Sequence, residues 1–263
     1  MNDKGLRIAI ISSPRCGNSW IRSTLAAALQ IGEIAVHNYL DAPTELPEKC
    51  ILQIHWYREP NFQAWLKAHN FKIITIARHP LDILVSALYF IRHEPQTARW
   101  LEGNAGLPGN LIGHAPCSQQ FLDYALSYPA ENLLSISYQW WHEPQALKLR
   151  YEDGVHDPAR VLSELVKSLD MNLGSMDPWL GHASLDKMRS TPNRHGWQAR
   201  PGLWRSLITP QDAVRIFWRH RVIFHKLGYS VGPYLLSRSA ALRNWNELTT
   251  PVSGLPKLSD AVR

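Results

Sequence analysis

Short apolar runs alternate along the chain with longer segments in which apolar residues recur every three or four positions. The runs predict buried strands at 7–12, 50–54, 72–77 and 146–150. The periodic segments predict helices at 20–29, 62–69, 81–91, 119–126, 133–142, 158–169 and 210–227. This alternation is typical of an α/β fold, so we expect one domain, residues 1–232, with a central parallel sheet flanked by helices. Residues 233–263 have weak periodicity and are expected to form a loosely packed C-terminal extension.

Composition and charge narrow the classes of function. The net charge of +6 and the isoelectric point near 9.3 indicate an anionic partner. The basic residues are scattered and no nucleic-acid-binding motif is found, which favours a small polyanion over nucleic acid. The three cysteines lie far apart, no apolar run approaches the ~20 residues that span a bilayer, and the N-terminus lacks an apolar signal stretch. We therefore expect a cytoplasmic protein without a membrane segment.

The segment Pro14-Arg15-Cys16-Gly17-Asn18-Ser19-Trp20 lies where the first predicted strand runs into a helix. Gly17 permits a tight turn, Asn18 and Ser19 can cap the helix, and Arg15 adds a positive charge. Together they predict a strand–loop–helix phosphate site similar in layout to a P-loop. The Lys-Ser/Thr pair and second glycine of a Walker A loop are absent. Taken alone, the segment fits an ordinary turn with a surface arginine equally well.

A second segment, Arg78-His79-Pro80 followed by Ser86, also joins a predicted strand to a helix. Pro80 fixes the start of that helix, and the side chain of Ser86 leans back towards it. His55 and Tyr151 follow two further strands. Because ligands of α/β sheets bind at the carboxyl ends of the strands, we expect all these side chains to converge. No carboxylate falls beside either arginine, so no metal is expected.

Together the segments resemble the PAPS-dependent sulfotransferases, the cytosolic type with its bacterial relatives. The first is similar to the family's 5′-phosphosulfate loop, Pro-Lys-Ser-Gly-Thr-Thr-Trp, and the second to its 3′-phosphate motif, Arg-Asn-Pro-Lys-Asp-x-x-x-Ser. The resemblance implies 3′-phosphoadenosine-5′-phosphosulfate (PAPS) as the donor. It assigns the 5′-phosphate and sulfuryl group to Arg15, Gly17, Asn18 and Ser19, the adenine to Trp20, and the 3′-phosphate to Arg78 and Ser86.

Three further matches complete the resemblance. Gln53-Ile54-His55 stands where the family has Lys-Thr-His, which implies His55 as the catalytic base, with Arg15 as the catalytic cation; His79 is the nearest substitute base. Tyr151 matches a tyrosine that contacts the adenine. The family's Arg-x-Gly segment, which closes on the 3′-phosphate, fits either Arg194-His195-Gly196 or Arg200-Pro201-Gly202, and the spacing leaves both open.

The implied reaction transfers a sulfuryl group from PAPS to a hydroxyl or amine of a small molecule or glycan. The acceptor substrate and the oligomeric state are not fixed by the sequence. We expect a pocket shaped by 172–203, by Trp140-Trp141 and by a long loop at 95–116 that acts as a mobile lid. Two alternatives stay open. Cys16 and Arg22 form the Cys-x5-Arg pattern of a phosphatase with a thiolate nucleophile. Alternatively, the chain binds nucleotide without catalysis, because two family lysines are missing.

Overall fold

A computed structural model of the protein describes residues 5–171, 173, 177–181, 184–190 and 196–250. A single sheet contains five strands, namely β1 (Arg7–Ile11), β2 (Gly32–Val36), β3 (Cys50–Ile54), β4 (Phe71–Ala77) and β5 (Leu147–Arg150). Their order is β2-β3-β1-β4-β5 and every pairing is parallel. Ile11 lies opposite Ile54 of β3, and Ile10 lies opposite Ile74 of β4, so the central strands end close together. The predicted parallel sheet is confirmed.

Helices flank this sheet. Within the described residues they are α1 (Asn18–Leu29), α2 (Pro60–Ala68), α3 (Pro80–Phe90), α4 (Gln119–Ala125), α5 (Tyr128–Trp141), α6 (Tyr151–His156), α7 (Pro158–Ser168), α8 (Asp177–Leu180), α9 (Leu185–Ser190), α10 (Pro210–Arg219), α11 (Arg221–Leu227) and α12 (Arg238–Thr249). None of those helices is long and apolar enough to cross a membrane.

Several elements differ from the sequence prediction, and β2 and the helix predicted at 210–227 are two of them. The apolar pattern does not predict β2, because this edge strand is largely exposed and has no continuous apolar run. The single helix predicted at 210–227 is divided into α10 and α11. The chain turns at His220, whose buried ring donates through Nε2 to the carbonyl oxygen of Ala125 at 2.8 Å.

The predicted lid at 95–116 is packed into the core instead. It contains two 3₁₀ segments, Pro95–Gly103 and Gly109–Leu111. The side chains of Trp100, Leu101 and Leu111 are buried. The hydrophobic effect stabilises these buried side chains in place, which does not favour the predicted mobile lid.

The C-terminal extension also packs more tightly than predicted. In α12, Ala241 and Trp245 are buried, and the Trp245 ring meets the edge of Trp197 at 5.8 Å between centroids. The Asn244 amide donates to the carbonyl oxygen of Ser206 at 2.8 Å. The expectation of a loose extension is therefore wrong for the part that the structure describes, which ends at residue 250.

Candidate active site

A cavity of about 550 Å³ opens at the carboxyl edge of the sheet, where β1, β3 and β4 end. Its volume is typical of sites for small ligands and cofactors. Most of the predicted site residues line it, namely Arg15, Gly17, Asn18, Ser19, Trp20, His55, Arg78, Ser86, Tyr151 and Arg200. The parallel topology explains this convergence, because it brings the residues after each central strand to one edge.

The turn between β1 and α1 is built around Gly17. This residue is the N-cap of α1 and has φ +92°, a left-handed conformation that favours glycine. A Cβ here would lie 2.9 Å from Cδ2 of Tyr151. Asn18 and Ser19 lie inside the helix, and neither caps it, which corrects the prediction. The N–H groups of this first turn have no partner within the helix, and Gly17, Asn18 and Ser19 line the cavity, a geometry suited to an anion.

The side chain of Asn18 holds the turn together instead of facing outward. Its amide nitrogen donates to the carbonyl oxygen of Ser13 at 3.0 Å, and its oxygen accepts from the Ser12 hydroxyl. Trp20 lies beside α6, where a Cβ on Gly154 would come within 3.0 Å of its ring. Glycine at 154 therefore lets the indole approach this helix closely at the cavity wall.

Two arginines from different strand ends meet at the cavity. Arg15 donates through Nε to the Ser86 hydroxyl at 3.1 Å and lies over the Phe90 ring at 4.1 Å. Arg78 donates through Nη1 to the backbone oxygen of Arg15 at 2.7 Å and stacks 4.2 Å from the ring centre of Tyr151. Burial, together with the neighbouring Arg78 charge, lowers the pKa of Arg15 to about 9. A bound anion would relieve this repulsion.

Arg78 also has an unused donor. Its side chain is buried, and its Nε has no hydrogen-bond partner among the described residues. A buried donor without a partner costs about 1–3 kcal/mol, and a ligand that brings an acceptor is one way to offset that cost. The arrangement therefore fits a phosphate oxygen beside Arg78.

The loop that follows the predicted closing segment is tied to α3 by a buried carboxylate. Asp82 accepts from the backbone N–H groups of Gly202 at 2.7 Å and Trp204 at 3.0 Å. Burial raises the pKa of Asp82. Gly202, at φ +76°, does not line the cavity, so its predicted cofactor contact is replaced by this anchoring role. Arg200, two residues earlier, is exposed and lines the cavity, whereas Arg194 lies outside the described residues.

His55 follows β3, and its hydrogen bonds fix its tautomer. Nδ1 lies 2.7 Å from the carbonyl oxygen of Ser12, which can only accept, so Nδ1 carries the hydrogen. In the neutral ring, Nε2 on the other side is then the accepting nitrogen. A neutral histidine in this tautomer is suited to take a proton.

His79, the substitute base, does not line the cavity. Its Nδ1 accepts from the N–H of Leu81 at 3.3 Å, which makes the side chain the N-cap of α3. Its ring stacks on Trp204 at 4.8 Å, and Nε2 donates to the carbonyl oxygen of Ser230 at 3.2 Å. Burial lowers the pKa of His79 to about 4. His79 therefore stabilises the fold and lies outside the cavity lining, which does not support it as the substitute base.

Comparison with known proteins identifies the family. The family model described as the sulfotransferase domain matches residues 7–199, most of the chain. The protein belongs to the sulfotransferase family.

Two solved structures share the fold of this sulfotransferase. Mouse sulfotransferase SULT7A1 complexed with PAP is 18% identical, with 88% of this chain and 87% of that chain covered and a TM-score of 0.60. Retinol dehydratase in complex with androsterone and the inactive cofactor PAP is 12% identical, with 86% and 82% covered and a TM-score of 0.57. At these identities the likeness concerns the fold. No match is found among curated proteins.

Cys16 of the sulfotransferase faces the core. Its side chain is fully buried, its Sγ lies 3.6 Å from the Ser137 hydroxyl, and it does not line the cavity. Burial raises the pKa of the Cys16 thiol to about 12. A phosphatase nucleophile must be a thiolate that reaches the phosphate. The phosphatase interpretation is therefore wrong.

The expected walls of the pocket are only partly found. Trp140 is buried and donates through Nε1 to the carbonyl oxygen of Trp56 at 2.9 Å, while Trp141 lies 5.4 Å from the Arg150 guanidinium. Neither lines the cavity, so their predicted role is wrong. From the 172–203 stretch, the described lining residues are Leu180, Ser184, Met188, Gly196, Trp197, Gln198, Ala199, Arg200 and Leu203.

Sequence reasoning also missed several lining residues of the sulfotransferase. Phe90 follows Ser86 by four positions on α3, so helical spacing alone predicts that it shares the same face. Gln53 and Arg22 line the cavity too. They could have been predicted because they lie close in sequence to His55 and Ser19. Trp100 belongs to the 95–116 loop, which the sequence predicts to shape the pocket, although no local pattern singles out this residue.

Proposed function

We propose that this sulfotransferase moves a sulfuryl group from PAPS to a hydroxyl or amine of an acceptor substrate, with His55 as the base. The observation that carries the proposal is the pair of arginines, Arg15 and Arg78, in one cavity. Two cations from separate strand ends fit a ligand with phosphates at two positions. The PAP complexes of SULT7A1 and retinol dehydratase support the same donor.

We assign the parts of such a donor to the described residues that line the cavity. We assign the 5′-phosphosulfate to Arg15 and the first turn of α1, because this turn offers N–H groups beside a cation. We assign the 3′-phosphate to Arg78 and Ser86, with Arg200 as the described candidate to close on it. Trp20 and Tyr151 supply aromatic surface for the adenine.

In this assignment His55 and Arg15 divide the chemistry. PAPS, when bound, supplies an activated sulfuryl group. His55 takes the acceptor substrate's proton on Nε2 as that substrate forms its bond to sulfur. Arg15 and the N-terminus of α1 stabilise the negative charge that grows on the leaving 5′-phosphate oxygen as its bond to sulfur breaks. Both groups are held in place before reaction by Ser12 and Ser86 respectively.

The remaining lining residues bear on the acceptor substrate, and the cysteines bear on the cellular location. Val36, Phe90 and Trp100 give the cavity apolar and aromatic walls, which favours a small-molecule acceptor substrate over a glycan. The androsterone bound in retinol dehydratase agrees with that choice. The three cysteines are buried free thiols, and this supports the proposed cytoplasmic location.

Calorimetric titration with adenosine 3′,5′-bisphosphate (PAP), compared with 5′-AMP, tests the donor site. We expect the wild type to prefer PAP and Arg78→Ala to lose about 10- to 100-fold in PAP affinity, since each charge-assisted hydrogen bond contributes about 1.5–3 kcal/mol. Arg150→Ala is the matched control, because Arg150 is the last residue of a strand, β5, and lies 5.1 Å from an aromatic ring, that of Tyr229, yet does not line this cavity. Equal and weak binding of both nucleotides to the wild type would overturn the proposal.

The base is tested separately by His55→Ala. We expect PAP affinity to be retained while turnover, measured as PAP formation from PAPS with a panel of phenols and alcohols, falls about a hundredfold or more. Turnover equal to the wild type would reject His55 as the base and leave the donor site standing.

A further inference from the structure

Gln53, the fourth residue of β3, connects helix α1 to His55 at the cavity wall. Its side-chain oxygen accepts from Arg22 Nη1 at 3.0 Å and from the Ser19 hydroxyl at 3.4 Å. Arg22 is in turn held by Glu33, whose carboxylate accepts from Nε at 2.7 Å. A guanidinium can only donate, so the end of the Gln53 amide that faces Arg22 must be the oxygen.

The amide nitrogen of Gln53 consequently faces His55. It lies 3.4 Å from Nε2, and because an amide nitrogen only donates, Nε2 must be the accepting nitrogen of the ring. On the opposite side of the ring, the Ser12 carbonyl oxygen requires the hydrogen on Nδ1. Both contacts are satisfied by one form only, the neutral ring protonated on Nδ1. The doubly protonated ring would place two donors against each other at Nε2.

We propose that Gln53 is a positioning residue, held by Arg22, that keeps His55 neutral with Nε2 as its proton-accepting nitrogen. This inference rests on the proposed function, in which His55 is the base. The contact of 3.4 Å is long for a hydrogen bond, so an acceptor hydroxyl with better geometry can displace the amide from Nε2. Gln53 thus selects the reactive form of the ring and leaves the proton transfer to His55.

Gln53→Glu replaces the amide nitrogen that faces His55 Nε2 with a carboxylate oxygen, which accepts instead of donating. The shape of the side chain hardly changes. One carboxylate oxygen can keep the bond to Arg22, and the other then faces Nε2 and accepts from it. We expect the ring to change to the doubly protonated form, which has no lone pair with which to take a proton. A residue that only supports the fold would not change the protonation of His55 when replaced in this way.

The experiment is ¹⁵N NMR of the histidine ring nitrogens in the full chain bound to PAP, near neutral pH. The His55 signals are identified by their loss in His55→Gln. We expect the neutral Nδ1-protonated pattern in the wild type and the imidazolium pattern in Gln53→Glu. Turnover of Gln53→Glu should fall about a hundredfold, while PAP affinity changes much less. A wild-type ring pattern in Gln53→Glu would overturn the inference.

A second variant keeps the inference testable if Gln53→Glu does not fold. Arg22→Met removes the donor that fixes the amide, so the amide can rotate and present its oxygen to Nε2. We expect a mixture of neutral and imidazolium signals and a turnover between those of the wild type and Gln53→Glu; an unchanged ring pattern would overturn the inference.

The His55→Gln variant distinguishes failure of the proposed base, His55, from failure of the proposed role of Gln53. Normal turnover in this variant would reject the base, and with it the proposed function of His55. Lost turnover in His55→Gln, combined with unchanged signals and rate in Gln53→Glu, would reject the role of Gln53 alone.

Discussion

The two arginine-bearing turns at the cavity present different parts of the chain to it. In the turn after β1, Arg15 and Gly17 have positive φ angles, and the Asn18 side chain is used to close the turn. The groups of this turn that are suited to bind a ligand are therefore mostly backbone N–H groups, together with the Arg15 guanidinium. In the turn after β4, two side chains, those of His79 and Asp82, are used by the fold.

The turn after β4 reaches the cavity through the side chains of Arg78 and Ser86. The first turn thus depends on a backbone shape that few residues can adopt, whereas the second depends on which side chains stand at two positions. Hydrogen bonds couple the two, because Arg78 donates to the backbone of Arg15 and Ser86 accepts from the Arg15 side chain. Substitutions should therefore act on the two turns by different physical routes.

Gly17→Ala should have the largest effect, because it breaks the backbone-dependent turn. The new Cβ would lie 2.9 Å from Cδ2 of the buried Tyr151, at φ +92°. Displacement of the turn would remove several N–H contacts to the 5′-phosphate, and we expect PAP affinity to fall about a hundredfold. Calorimetric titration measures this loss.

Gly113→Ala is the matched control for this substitution. Gly113 has the same φ of +92°, but a Cβ at this position would meet nothing within 4 Å, and the residue does not line the cavity. The variant should lose about 1–2 kcal/mol of unfolding free energy from backbone strain and keep its PAP affinity. Equal PAP affinities in the two variants would mean that the shape of the Gly17 turn does not govern binding.

Ser86→Ala should have a smaller effect and tests the coupling between the turns. It removes the oxygen that accepts from Arg15 Nε at 3.1 Å and one predicted contact to the 3′-phosphate. We expect PAP affinity to fall about tenfold and 5′-AMP affinity to fall less. Ser135→Ala, on α5 and away from the cavity, is the control and should bind PAP as the wild type does. Wild-type affinity in Ser86→Ala would show that the two turns act independently.

The site residues that the sequence predicts are those at the ends of apolar strands. His55, Arg78 and Tyr151 follow such runs directly and Arg15 comes four positions after β1, and parallel topology alone brings strand ends to one edge. What side chains do inside the turns is less predictable. Asparagine is a favoured N-cap residue, so the sequence predicts Asn18 as the cap of α1. The N-cap is instead Gly17, in a left-handed conformation that no local pattern specifies.

Bonds between distant segments explain the remaining differences. The Asp82 carboxylate binds backbone groups 120 and 122 residues away, and this link turns Gly202 from a predicted ligand contact into an anchor. The Trp140-Trp141 pair predicts a role in the pocket, but the indole N–H of Trp140 donates to the carbonyl oxygen of Trp56 within the core. Periodicity identifies which face of a helix is buried, and it does not tell whether that face meets core or cavity.

His79→Asn tests whether His79 stabilises the turn after β4 without contributing to PAP binding. The pKa of His79 falls from 6.5 to about 4 on folding, so the unfolded chain binds more protons between these values. The stability contributed by neutral His79 is present above pH 6.5 and is lost as the pH falls towards 4, to a total of up to about 3 kcal/mol. Asparagine keeps an N-cap acceptor without a proton to gain.

We expect urea unfolding of His79→Asn to show a smaller loss of stability than the wild type between pH 6.5 and 4. Some slope should remain, because burial also lowers the pKa of His220. PAP affinity above pH 6.5 should be close to that of the wild type, since His79 does not line the cavity. Identical pH dependence in both proteins would contradict the assignment of His79 as a buried neutral cap.

Cys16→Ser should have the smallest effect, although Cys16 lies between Arg15 and Gly17 in the backbone-dependent turn. Its side chain points to Ser137 in the core, where a hydroxyl can form a hydrogen bond in place of the thiol. We expect PAP affinity and the rate of PAP formation to match those of the wild type, with Cys117→Ser, also buried, as the control. Loss of activity in Cys16→Ser alone would require a reacting thiolate, whereas retained activity would show that this turn binds through its backbone and Arg15 and not through the residue between them.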